Sequence, residues 1–284
     1  MTASSATTPG TLYVVATPIG NRDDISVHAL HVLQAVDAIL AEDTRHSQPL
    51  LATLGIKKPL ISMHAHNETK KCEGIVAELL AGRTFALISD AGTPLISDPG
   101  FPLVRLAREK QIAVVPIPGA CALIAALSAA GVPCDTFTFA GFLPAKQTAR
   151  LARLAALSKL THTLVFYEST HRIKDSVADL MQVLGASCEL VLAKELTKTF
   201  ETFVTGSCEQ ILRWLTENPA HCKGEFVLIV PPRATIENME VQHHVLRILL
   251  AELPLKQAVK LACEITNGNK NELYKIALQW SRTP

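Results

Sequence analysis

The chain has 284 residues, 48% of them hydrophobic and 19% charged, with a formal net charge of +1. That balance supplies apolar material for packed cores and excludes a disordered chain, while near-neutrality means that a nucleic-acid partner needs a local basic patch. No apolar run is long enough to span a bilayer without charges, and Met1 to Gly10, Ser/Thr/Ala-rich with no basic stretch, is expected to be a frayed tail rather than a secretory signal.

Leu12-Tyr13-Val14-Val15-Ala16 reads as a buried strand, and Ile25 to Val36 as an amphipathic helix capped by Asp24 or Ser26. Ala38 to Ala41 is a second strand, Leu60 to Ser62 a weaker third, and Asn67 to Leu80 a helix ended by Gly82. Phe85 to Ile88 is a strand, Pro102 to Glu109 a helix and Ala113 to Pro116 a strand. Continuous apolar strands alternating with helices predict a mostly parallel α/β sheet. Pro116-Ile117-Pro118-Gly119 breaks the pattern, and a small-residue helix follows over Ala120 to Ala130. A second α/β unit begins after Pro133, with strands near Thr136–Ala140, Thr163–Tyr167, Cys188–Lys194, Glu201–Val204 and Phe226–Val230. The adjacent long strands near 190 and 203 predict a partly antiparallel, mixed sheet, and from Val241 to Trp280 the pattern is helical, with Pro254 and Gly268 as breaks. The expectation is a two-domain α/β fold: tail 1–10, first domain 11–118, second domain 119–232 and a helical appendix over 233–284.

Seven cysteines without a Cys-x-x-Cys pair give no metal spacing and no disulfide framework, as fits free thiols in the cytoplasm. Ligands on open α/β sheets bind beyond the carboxyl ends of the strands. Four unusual loops are expected there: Thr17-Pro18-Ile19-Gly20-Asn21, Glu42-Asp43-Thr44-Arg45-His46, Ser89-Asp90-Ala91-Gly92-Thr93-Pro94 running on to Asp98-Pro99-Gly100, and Pro118-Gly119-Ala120-Cys121-Ala122. Any one of them fits ordinary turn chemistry; all four on one sheet edge point to a cleft. Neither a Gly-x-Gly-x-x-Gly nor a Walker A sequence is present, so dinucleotide and NTP-loop readings lose support.

The first three of these loops, with His66-Asn67-Glu68, Gly141-Phe142-Leu143-Pro144, Tyr167-Glu168-Ser169-Thr170-His171-Arg172, Glu195-Leu196-Thr197-Lys198 and Gly224-Glu225-Phe226, resemble the tetrapyrrole methylase superfamily. Within it the chain resembles the ribosomal small-subunit RNA 2'-O-methyltransferase branch over nearly its whole length. The stretch from Ser89 to Gly100 is highly specific; Glu225-Phe226 alone is weak. Arg22 departs from the branch, which usually has an apolar residue there, and Lys194 from its usual arginine, losing planar bidentate binding if that position makes it.

The resemblance implies S-adenosylmethionine folded in a cleft between the domains, on a surface that includes Ile19, Gly20, Gly92, Thr93, Ile96, Ala120, Cys121, Tyr167 and Phe226. Thr93 is expected to donate its hydroxyl to the cofactor, and Asp90 either touches the cofactor or shapes its loop. The implied reaction is in-line attack of a cytidine ribose 2'-hydroxyl, in the decoding region of 16S rRNA, on the sulfonium methyl. A general base would help, and Asp43, Glu68, Glu168 and Lys198 are candidates that the sequence does not separate. The reaction needs no metal. The family usually forms homodimers, and the substrate is expected within the small ribosomal subunit.

RNA contact has local support. Lys146, Arg150, Arg153, Lys159, Arg172 and Lys174 crowd the span from Pro144 to Lys174, where Glu168 is the only acid. Lys146, Arg150 and Arg153 are spaced to share a helix face that would follow phosphates, or is simply solvated. Arg45 is expected either to touch substrate or to pair with Asp43. The nearly charge-balanced tail resembles a small helix-turn-helix unit, for RNA, packing or dimer contacts. Two rivals stand: a tetrapyrrole carbon methyltransferase on the same scaffold, and a catalytically silent ribosome-assembly factor that binds RNA.

Overall fold

The computed structural model describes residues 8–64, 68–233, 236–266 and 268–280. Most of the expected tail, residues 1–7, lies outside them.

The first sheet holds β1 (Thr11–Val15), β2 (Ala38–Ala41), β3 (Leu60–Ser62), β4 (Phe85–Ile88) and β5 (Ala113–Ile117). The strands run parallel in the order β3-β2-β4-β1-β5. Their connections carry α1 (Val27–Ala35), α2 (Thr44–Thr53), α3 (Glu68–Leu80) and α4 (Phe101–Glu109). Side chains alternate across a strand, so this sheet buries two faces. Leu12, Leu40, Phe85 and Leu87 pack one face against α3 and α4, and Val15, Ile39, Ala86 and Ile88 pack the other against α1 and α2. This is why these strands read as continuous apolar runs.

The chain then passes through α5 (Ala122–Ala129) into β6 (Phe137–Phe142), α6 (Gln147–Leu157), β7 (Thr163–Ser169), α7 (Ile173–Leu184), β8 (Glu189–Lys194), β9 (Thr202–Ser207), α8 (Cys208–Glu217) and β10 (Glu225–Val230). The second sheet has the order β6-β7-β10-β8-β9. Only β6 and β7 are parallel; the remaining pairs are antiparallel, so the sheet is mixed as expected. Its outer face packs on α6, α7 and α8 through Leu154, Phe166, Val177 and Ile211. Its inner face, with Val165, Val191, Val227 and Ile229, packs on α5 and on Ile19 from the first half. The two halves therefore share a core at the place where the cleft is expected.

Helices α9 (Ile236–Glu252), α10 (Leu255–Thr266) and α11 (Lys270–Trp280) close on their own small core of Leu246, Val259, Ala262, Leu273 and Ala277. No helix among the described residues is long and apolar enough to cross a membrane.

One loop reading is corrected. The stretch from Glu42 to His46 is not a free loop: α2 starts at Thr44, and Asp43 caps it by accepting the Arg45 backbone N–H at 2.9 Å. The polar run Thr44-Arg45-His46-Ser47-Gln48 and the internal Pro49 leave little apolar periodicity to announce this helix.

Candidate active site

Four strand ends of the first sheet, those of β1, β2, β4 and β5, are tied into one unit. Thr17, 1% exposed, pairs its backbone with Gly92 in both directions, N–H to carbonyl at 2.9 and 3.1 Å. A carboxylate oxygen of Asp90 accepts the Asp43 backbone N–H at 3.2 Å, joining the loops after β4 and β2. The Thr93 hydroxyl donates to the Ala120 carbonyl at 3.0 Å, joining the β4 loop to the segment that enters α5. These bonds satisfy polar groups that would otherwise be costly to bury.

The second sheet supplies the facing wall. A cavity of about 540 Å³ opens between the loop from Asp90 to Asp98, the start of α5 at Cys121 and Ala122, and the ends of β6, β7 and β10 at Phe142, Tyr167 and Phe226. This size and mixed lining suit a small-molecule ligand. The Tyr167 hydroxyl accepts the Leu123 backbone N–H at 3.0 Å, which fixes the first turn of α5 against the second sheet. Burial, then the neighbouring Cys121, push the Tyr167 phenol above its ordinary range, so it stays protonated.

The lining is acidic. Glu42, Asp90 and Asp98 face the cavity, and among the described residues neither a lysine nor an arginine lines it. Burial, followed by the charges of Asp98, Asp90 and Asp43, raises Glu42 to about 6. Burial, opposed by a hydrogen bond from Ser89 and reinforced by Asp90, raises Asp98 to about 6. Like charges held together in a partly dry site cost free energy unless a proton or a cationic ligand joins them.

Of the residues expected to hold the cofactor, Ile19, Asp90, Gly92, Thr93, Ile96, Cys121, Tyr167 and Phe226 line this one cavity. Gly20 and Ala120 are not among its lining residues. Gly20 packs on the second half instead: a Cβ there would lie 2.8 Å from Thr197 Oγ1 and 3.0 Å from the Leu196 carbonyl. Ala120 offers its carbonyl to Thr93, so the hydroxyl expected to donate to the cofactor donates to Ala120 in this structure.

The candidate bases fare differently. Asp43 caps α2 and pairs with Arg45 at 2.7 Å; hydrogen bonds from the Arg45 side chain and backbone hold it at about 2, where it is a poor proton acceptor. Glu168 is 2% exposed, and its oxygens are taken by Arg172 at 3.0 Å, Ser176 at 2.6 Å and the Ser169 N–H at 2.8 Å. Lys198 lies outside the lining, between Glu195 at 2.9 Å and Glu225 at 2.8 Å. Burial disfavours its charge, but hydrogen bonds to Glu225 and Glu195 prevail and raise its pKa, so it is a cation. Glu68 begins α3, and its side chain lies outside the described residues.

The basic stripe is also corrected. Arg150 is 3% exposed and bound to Asp179, so it cannot reach a phosphate. Lys146 is exposed at the N-cap of α6 and Arg153 on the helix itself, Arg45 is exposed beside Asp43, and Arg172 is half-buried beside the cavity. Of the two departures, Arg22 is exposed and Lys194 is buried at the end of β8. Sequence reasoning missed Glu42 and Asp98 as cavity acids and Phe142 and His171 as lining residues. The position of Glu42 just past the carboxyl end of a parallel strand was the available signal.

A parallel sheet and a mixed sheet share a core, and an acidic cavity with small-molecule dimensions lies where they meet, which defines a two-sheet α/β protein with a central ligand site. Residues 11–212 match the family Tetrapyrrole (Corrin/Porphyrin) Methylases, and residues 240–281 match the RsmI C-terminal HTH domain. The chain belongs to the tetrapyrrole methylases and is a methyltransferase. It is similar to Ribosomal RNA small subunit methyltransferase I of Escherichia coli O157:H7, at 52% identity covering 97% of each chain. It is equally similar to the protein of that name from Pseudomonas aeruginosa, at 52% identity over 95% of this chain and 97% of the other. Its fold is that of a uroporphyrin-III C-methyl transferase from Thermus thermophilus solved with S-adenyl homocysteine, at a TM-score of 0.55 and 16% identity over 78% of this chain and 97% of that one.

Proposed function

We propose that this protein transfers the methyl group of S-adenosylmethionine to the ribose 2'-hydroxyl of a cytidine in the decoding region of 16S rRNA. The observation that carries the choice of RNA is the 52% identity, across 97% of both chains, to a protein named as a small-subunit ribosomal RNA methyltransferase. Fold kinship alone would not choose between RNA and a tetrapyrrole.

The cavity suits the methyl donor. A sulfonium and an ammonium group are cationic, and the Glu42, Asp90 and Asp98 carboxylates offset that charge. Ile19, Ile96 and Phe226 offer apolar surface beside them. Bound S-adenosylmethionine supplies an activated methyl, so the protein's work is alignment and proton removal. Glu42 is the residue best suited to take the hydroxyl proton. It faces the cavity, and a carboxylate raised to about 6 is a stronger acceptor than an ordinary one while still ionised at neutral pH. Arg45, Lys146 and Arg153 are exposed cations, and Arg172 stands beside the lining residue Phe142; together they offer charge to the RNA backbone. The protein acts in the cytoplasm as a homodimer on the small ribosomal subunit; exposed Phe101, Ile124 and Phe200, at 62%, 53% and 73%, are apolar surface available for self-association.

The deciding experiment adds methyl-labelled S-adenosylmethionine to small-subunit particles from a strain lacking the gene. Mass spectrometry of the digested RNA should find one labelled 2'-O-methylcytidine in the decoding region. Label on a base, on another RNA, or on added uroporphyrinogen III instead would overturn the reading.

A further inference from the structure

Strand β6 carries a bulge whose effect is to turn one aromatic ring. Phe139 is paired with Val165, but Phe142 is paired with Tyr167, so three steps on β6 match two on β7. Val165 and Tyr167 belong to the inner face, with Phe139. Phe166 belongs to the outer core. Without the extra residue Phe142 would stand opposite Glu168 and point to the outer face. The bulge places it on the inner face, at the cavity. Gly141 permits this by taking φ +65°, and a Cβ there would approach Ser97 Oγ to 3.2 Å.

The ring so placed is 48% exposed yet held on several sides. Tyr167 packs edge-on at 5.7 Å between centroids, and the Arg172 guanidinium stands 5.8 Å from the ring centre. Both neighbours are themselves fixed: Tyr167 by the Leu123 N–H, and Arg172 by Glu168 and by the Leu143 carbonyl at 3.1 Å. Desolvation gives no reason to leave half of a phenylalanine bare beside a ligand cavity. A rigid aromatic face next to an arginine is what an unstacked nucleobase binds.

We infer that Phe142 is the stacking platform for the base of the target nucleotide and so a specificity-determining residue of the methyl transfer. A ribose presented to Glu42 must leave its helix or loop, and its base then needs a new stacking partner. Phe142 supplies that partner at the mouth, while Arg172 offers charge to the adjoining phosphate. This inference rests on the ribose-methylation reading above.

The test compares wild type with Phe142→Leu, Phe142→Tyr and Phe142→Trp on unmethylated small-subunit particles, with native RNA and with RNA abasic at the target position. Phe142→Leu should lower kcat/KM for native particles by roughly five- to hundredfold, and the aromatic variants should restore most of it. On abasic particles wild type and Phe142→Leu should be equally slow, because the partner of the ring is gone. Calorimetric affinity for S-adenosylmethionine and the sedimentation coefficient should be unchanged in every variant. An undiminished Phe142→Leu, an equal loss on abasic particles, a weakened donor affinity or a changed oligomeric state would each overturn the assignment. Absence of transfer by the wild type would instead sink the ribose reading, and this one with it.

Discussion

Arg150 and Asp179 form an ion pair inside the second half, Nε to Oδ2 at 2.7 Å, with side chains 4% and 3% exposed. Asp179 also accepts from Gln147 at 2.9 Å, and Arg150 donates to the carbonyls of Pro144 at 3.2 Å and Ala145 at 3.0 Å. The network joins α6, α7 and the turn after β6, and so anchors the segment that follows Phe142.

Removing one member leaves a buried charge unpaired. Arg150→Met should therefore cost about 3–5 kcal/mol of stability, and adding Asp179→Leu should recover much of that loss. Urea titrations of the single and double variants would show it. Equal midpoints for wild type and Arg150→Met would contradict the pair's structural role.

The two raised carboxylates give donor binding a pH dependence. A cation in the cavity favours ionised Glu42 and Asp98, so affinity for S-adenosylmethionine should fall as the pH drops through about 6, and binding near that pH should release protons. The sign is opposite for the free protein. A carboxyl whose folded pKa lies above its unfolded value adds stability below the unfolded pKa, and this is lost as pH rises through about 6. Calorimetry in buffers of different ionisation enthalpy measures the released protons, and proton uptake on binding at pH 6 would refute the assignment.

Glu42→Gln, assayed at saturating S-adenosylmethionine so that the share of Glu42 in donor binding does not enter, tests the proposed proton acceptor. Its methyl-transfer rate should fall by about 10²–10⁴, the usual range for losing a general base, and the acid limb of the rate profile near pH 6 should disappear. A rate within threefold of wild type, with that limb intact, would assign the proton to solvent or to another group.

Thr93 tests the junction. Thr93→Val keeps the shape but removes the hydroxyl that donates to Ala120, which should cost about 1 kcal/mol of stability and leave donor affinity within a few fold. Thr93→Trp fills the cavity and should abolish binding. Unaltered calorimetric affinity for the tryptophan variant would move the donor site elsewhere.

Gly20 tests the contact between halves. Its missing Cβ leaves room for Thr197 and Leu196, and the neighbouring Asn21 N–H donates to Thr197 Oγ1 at 3.0 Å. Gly20→Ala should destabilise by about 1–3 kcal/mol through overpacking. An unshifted Tm in scanning calorimetry would refute the close approach.

Much of the architecture was legible because burial on both faces writes itself as apolar runs, as in Ala38–Ala41 and Phe226–Val230. Helix α2 was hidden, since polar Thr44 to Gln48 and Pro49 carry no apolar stripe. The site was half legible. Loops with unusual turn residues pointed to Asp90, Gly92, Thr93 and Cys121, which line the cavity. The proposed proton acceptor, Glu42, was not legible, because Asp43 and Glu42 are neighbours in sequence and differ only in what surrounds them.

The sequence by itself determined an α/β chain with its ligand loops past the strand ends, because periodicity and turn chemistry are local properties. Only the tertiary structure decided which charges are available. Arg150 looks like a phosphate contact until Asp179, 29 residues away, is found to bury it. Asp43 and Glu168 look like bases until Arg45, Arg172 and Ser176 are seen to occupy their oxygens. Hydrogen-bond partners and desolvation depend on packing between distant segments, and those fix where a proton can go.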